Sequence, residues 1–95
     1  MATGTVDLDF GTTGAPTTRA SVAVTGQAGI VAGSHVEAWL RVVATADHST
    51  DELREFIPLR FYAHSILAGT GFTVEAEVVG GGKTYGAVTA AWAWV

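Results

Sequence analysis

The chain contains no cysteine, which excludes disulfide staples, thiolate metal sites and cysteine nucleophiles and leaves its stability to packing. It contains no asparagine and one glutamine, Gln27, so a sugar held by side-chain amides would find few partners. Cations are scarce: Arg19, Arg41, Arg54, Arg60 and Lys83 stand singly against nine carboxylates, for a net charge of −4. Without a basic stripe to displace phosphate counterions, nucleic acid is not expected as a partner. No apolar run approaches the roughly 20 residues of a bilayer-spanning helix, and MATGTVDLDF lacks the basic and apolar segments of a signal peptide. No membrane partner is expected, and the chain is expected in the cytoplasm at synthesis. Charged residues make up 15% of the 95 and hydrophobic ones 48%, a balance far from disorder in a length that sustains one core. A single domain over 1–95 follows.

What is present is alternation. In TVDLDF, Val6, Leu8 and Phe10 alternate with Thr5, Asp7 and Asp9, and in RASVAVTG, Val22 and Val24 alternate with Ser21, Ala23 and Thr25. This period of two turns one strand face to a core and the other to water. From Ser34 to Ala46, Val36, Ala38, Leu40 and Val42 oppose His35, Glu37, Trp39, Arg41 and Val43, the longest predicted strand. FIPLRFYAHSIL sets Leu59, Phe61 and Ala63 against Arg60, Tyr62 and His64, with Pro58 marking an edge or a strand start because it has no N–H for a ladder. FTVEAEVV and TYGAVTAAWAWV complete six segments. QAGIVAGS reads as a turn with one apolar plug, Ile30 or Val31, AGTG as a turn, and GGGK as a hairpin turn. Trp92 and Trp94 share one face of the last strand opposite Ala87, Ala91 and Ala93, and a terminal strand carrying two such large aromatics must be docked. The pattern predicts an all-β fold, a single antiparallel β-sandwich of about six strands, jelly-roll or immunoglobulin-like, with one short helical turn near 50–55.

The polar side chains crowd into ATADHSTDELRE, residues 44–55. Metal binding would draw on Asp47, His48 and Asp51, and general-base chemistry on His48 oriented by Asp47 or Asp51. The spacing argues against both: neighbouring Asp47 and His48 point different ways in most backbones, and no HxxxH, HxH or EF-hand pattern is present. The alternative is a well-built loop, with Asp47, Ser49 and Thr50 bonded to the backbone, and Ser49 and Glu52 forming a capping box at a helical turn that bridges two long strands. No catalytic residue and no cofactor is expected. Ser21, Ser34, Ser49 and Ser65 form no nucleophile elbow, and GGGKT lacks phosphate-loop spacing. His35 and His64 would approach each other if the two long strands paired. Trp39, Tyr62, Trp92 and Trp94 are the candidate contact residues, as a platform for a glycan or peptide or as packing in a core or subunit interface.

TGQAGI, GS-x-VEAW and ATADHS-x-DE within 25–52, AGTGFT within 68–74 and the closing W-x-W together resemble a group of short virion-associated structural proteins of tailed bacteriophages. The resemblance covers about half the chain and carries no catalytic residues; it weakens over 55–67 and 79–84. It implies a non-enzymatic part that forms homo-oligomers and attaches to capsid or tail subunits, as a decoration or tail-associated protein, located in the virion and in the host cytoplasm during assembly. The reading set beside it is a glycan- or peptide-binding β-sandwich module, such as part of a tail fibre.

Overall fold

A computed structural model of the chain describes residues 1–50, Leu53 and 58–95. Its six strands are β1 (Ala2–Asp9), β2 (Arg19–Val24), β3 (Val36–Leu40), β4 (Leu59–Leu67), β5 (Gly71–Val78) and β6 (Ala87–Trp94). They form two three-stranded antiparallel sheets, ordered β1-β6-β3 and β2-β5-β4. The sheets stack as a sandwich with β1 beside β2 and β3 beside β4. This is the all-β sandwich that the alternation predicts.

The alternating apolar residues of the strands face the core, where Leu8, Phe10, Ile30, Val74 and Val88 are fully buried, while Val42, beyond the end of β3, is exposed. Ile30, not Val31, is the apolar plug: the first is 1% exposed and the second 57%. Phe72 of β5 meets Trp92 of β6 edge to face, ring centroids 5.4 Å apart, a contact that joins the two sheets. Trp92 lies over Gly4, its partner in β1; a Cβ there would come within 2.8 Å of the indole Cε2. Trp94 packs against the same core and donates its indole N–H to Gln27 Oε1 at 2.9 Å.

Three sequence expectations are corrected. GGGK is not a hairpin turn, because β5 and β6 belong to different sheets, and the connection crosses the sandwich; β4 and β5 are neighbours in both sequence and sheet, joined at 68–70. The two longest predicted strands do not pair, since β3 and β4 also lie in different sheets. His35 and His64 accordingly contact separate carboxylates, Glu37 at 3.2 Å and Glu75 at 2.9 Å. Finally, β3 ends at Leu40 rather than running to Ala46. Arg41 N–H still donates to Thr89 (2.9 Å), but Val43 N–H then closes a tight turn onto the Arg41 carbonyl at 2.9 Å. Of the predicted helical turn, Leu53 N–H donates to the Ser49 carbonyl at 3.2 Å, and Leu53 is buried. The rest of that turn, with Glu52 of the capping box, lies outside the described residues.

Candidate functional site

The polar loop resolves into a clamp on the end of β6. In the β3–β6 ladder, His35 and Val95 exchange backbone bonds (3.2 and 3.0 Å), and Arg41 donates to Thr89. Antiparallel pairing repeats every two residues, so Ala87 is the next β6 residue due a partner from β3. The loop supplies that partner with side chains. Thr45 Oγ1 donates to the Ala87 carbonyl at 2.8 Å, and Asp47 Oδ2 accepts from Ala87 N–H at 2.8 Å. One residue back, Gly86 has φ +79°, and a Cβ there would overlap the Asp47 side chain. Two back, His48 Nε2 lies 2.5 Å from the Tyr85 carbonyl. A carbonyl only accepts, so Nε2 carries the proton in this contact.

Asp47 and His48 of the loop both have structural partners. Asp47 spends a carboxylate oxygen on Ala87; His48 is 3% exposed, its ring 5.3 Å from that of Tyr85 and its backbone N–H bonded to Thr45 Oγ1 at 3.2 Å. Asp51 lies outside the described residues. Among the described residues, no three His, Cys, Asp or Glu side chains group as a cation site. Thr45, which the sequence pattern did not single out, is the residue that organises the loop: its hydroxyl also accepts from Asp47 N–H at 3.2 Å.

The structure divides the four aromatic candidates. Trp92 is buried in the chain's own core, and Trp94 is half-buried and tied to Gln27, so Trp92 is withdrawn as a contact residue and the four make no common platform. The inward turn has a simple cause: even-numbered residues of β6 face the second sheet, where the Trp92 indole fills the space above Gly4 and beside Phe72. Trp39 stands on the outer face of β3, 47% exposed, and Tyr62 on the outer face of β4. They meet at an open cleft of about 410 Å³ between the unpaired edges of the two strands, lined by 35–39 and 61–63.

Beside the cleft, the outer face of the second sheet carries a charge ladder. Register places Arg19, Glu77 and Arg60 in one row and Ser21, Glu75 and Tyr62 in the next. Glu77 accepts from Arg19 at 2.8 Å and from Arg60; Glu75 accepts from Arg19 at 3.1 Å, from the Tyr62 hydroxyl at 2.8 Å and from His64. The Tyr62 and His64 hydrogen bonds hold the Glu75 carboxyl below the ordinary glutamate range against the opposing pull of burial, and the same bond to Glu75 raises the Tyr62 hydroxyl. Two arginines balance two glutamates, and each of these charges has an opposite partner, so the ladder stabilises an exposed sheet face and presents no charge surplus to an ionic ligand.

No protein-family model, curated protein or solved structure matches this chain. Among the described residues, no helix is long and apolar enough to cross a membrane.

Proposed function

We propose that the protein is a non-enzymatic structural component of a tailed-bacteriophage particle, a small β-sandwich that self-associates and attaches to capsid or tail subunits. The observation that carries this reading is the outer face of the first sheet. Across it run the rows Thr3–Ala93–Glu37, Thr5–Ala91–Trp39 and Asp7–Thr89–Arg41, so the central strand contributes only alanine and threonine beneath the large exposed face of Trp39. A face with an uncharged centre, an aromatic anchor and charges at its rim has the composition of a contact surface. The resemblance of the segments within 25–52 and 68–74 and of the W-x-W end to short virion-associated proteins of tailed bacteriophages supports the same assignment.

The test is to purify particles from a lysate of the host that carries this coding sequence and to look for the protein by mass spectrometry and antibody labelling under the electron microscope. A fixed copy number per particle is expected; particles that lack the protein through repeated purification overturn the reading. The cleft of about 410 Å³, with Trp39 and Tyr62 on its rim and His35 and Glu37 as polar fringe, favours a second reading, a glycan- or peptide-binding module. Binding on a glycan or peptide array that is lost in Trp39→Ala would support it, and a blank array would remove it.

A further inference from the structure

We propose that β3 is a homodimerisation edge, on which two copies pair antiparallel about a two-fold axis through Trp39 and join two three-stranded sheets into one of six strands.

The backbone fixes which groups are free. His35 and Arg41 bond to the β6 side, and by the two-residue alternation so do Glu37 and Trp39, while the N–H and C=O groups of Val36, Ala38 and Leu40 point away from β6 along the free edge, where Val36 and Ala38 line the cleft. An antiparallel mate must place even-numbered residues opposite even-numbered ones, which leaves few registers. The register with Ala38 opposite Leu40 of the second copy lets these residues exchange hydrogen bonds on both sides of the axis.

On the outer face the same register sets Glu37 opposite Arg41 of the second copy, twice by symmetry, with the two Trp39 side chains facing across the axis. All three positions are exposed, and they fall at the non-hydrogen-bonded pairs, where opposing side chains come closest. The neighbouring registers lose this match: a shift one way centres the strand on Ala38 and faces Glu37 with Trp39, and a shift the other way centres it on Leu40 and faces Trp39 with Arg41. Arg41 has no ion-pair partner among the described residues, and the second copy's Glu37 would supply one.

The other edges are less suited to self-pairing. β4 begins after Pro58 and is broken by a bulge between His64 and Leu67, where Ser65 takes φ 56°. β1 carries Asp7 and Asp9 with no cation on its outer face, and β2 places Arg19 opposite Ala23 about its centre.

The inference rests on the assembly reading for its choice of a second copy as occupant, and the two are tested separately. Light scattering over a concentration series is run on the unaltered chain and on Glu37→Arg and Arg41→Glu. The unaltered chain is expected at twice the monomer mass, each single variant at the monomer mass, and an equimolar mixture of the two variants at the dimer mass, because charge reversal on opposite partners restores both pairs. Both side chains are exposed, so the circular dichroism of the monomeric variants should match the parent's, while their melting should lose the concentration dependence that dimerisation confers. A monomeric parent at every concentration, single variants that stay dimeric, or a mixture that stays monomeric overturns β3 pairing. Each of those results leaves particle attachment to be decided by the particle analysis above.

Discussion

His48→Ala separates a buried structural histidine from a ligand. Truncation removes the Nε2–H donor 2.5 Å from the Tyr85 carbonyl and the ring packed 5.3 Å from the tyrosine. A part-buried carbonyl left without its donor costs about 1–3 kcal/mol, and the space vacated by the ring adds roughly 1 kcal/mol on the scale of core truncations. A loss of about 2–4 kcal/mol corresponds to a fall in Tm of roughly 10–25 °C for a domain of this length. His48→Gln gives the control, since an amide nitrogen in the position of Nε2 can still donate, and it should recover about half of the loss. The assay is urea and thermal unfolding followed by tryptophan fluorescence and far-ultraviolet circular dichroism, with and without EDTA. The reasoning is refuted if His48→Ala melts with the parent, if Gln recovers nothing, or if EDTA lowers the parent's Tm to that of the alanine variant, which would make a bound cation the source of the stability.

Gly4→Ala drives a methyl into the Trp92 indole and should destabilise by about 1–2 kcal/mol, an overpacking cost partly offset by the lower unfolded-state entropy of alanine; in a Trp92→Leu background the penalty should shrink, read as a non-zero coupling in a double-mutant unfolding cycle. Because the folded Glu75 carboxyl titrates below its unfolded value, its contribution is fully present above the usual glutamate pKa of about 4.3 and lost as pH falls through the lower folded value. Glu75→Gln and Tyr62→Phe should therefore flatten the acid limb of a plot of stability against pH, and an unchanged limb would reassign it to other carboxylates. Thr45→Val with Asp47→Ala strips Ala87 of both side-chain partners and should cost about 1–3 kcal/mol in urea unfolding; unchanged stability would mean that water replaces them at no cost.

Alternation made the strands and their inward faces legible, because a period of two is a local property that burial on one side enforces. Sheet order was not legible in the same way. GGGK has the composition of a hairpin turn, yet the strands on either side of it belong to different sheets, and nothing within those few residues encodes the partner each strand finds across the molecule. The tryptophans show the same limit. Placing Trp92 and Trp94 on one face is arithmetic, but deciding that this face is the core depends on Gly4 standing opposite Trp92, a long-range pairing. The charge ladder was visible only as polar positions along three strands; the registers of β2, β5 and β4 turn Arg19, Glu77 and Arg60 into a row.

The early end of β3 follows from the same long-range logic. SHVEAWLRVVATA alternates without a break to Ala46, and local propensity favours continuation. What intervenes is competition for Ala87, whose N–H and C=O are bound by Asp47 and Thr45 instead of by β3 backbone. Side chains of a loop can satisfy one ladder position as well as a strand can, and here they do so while carrying His48 into the interior. The result is a free edge limited to a few residues. A long, flat edge of alternating valines would pair in many registers and invite open-ended association; a short one bearing one glutamate and one arginine four positions apart admits far fewer. The crowded polar loop, which looks like a site when read alone, thus sets the length of the edge on which the proposed contact depends.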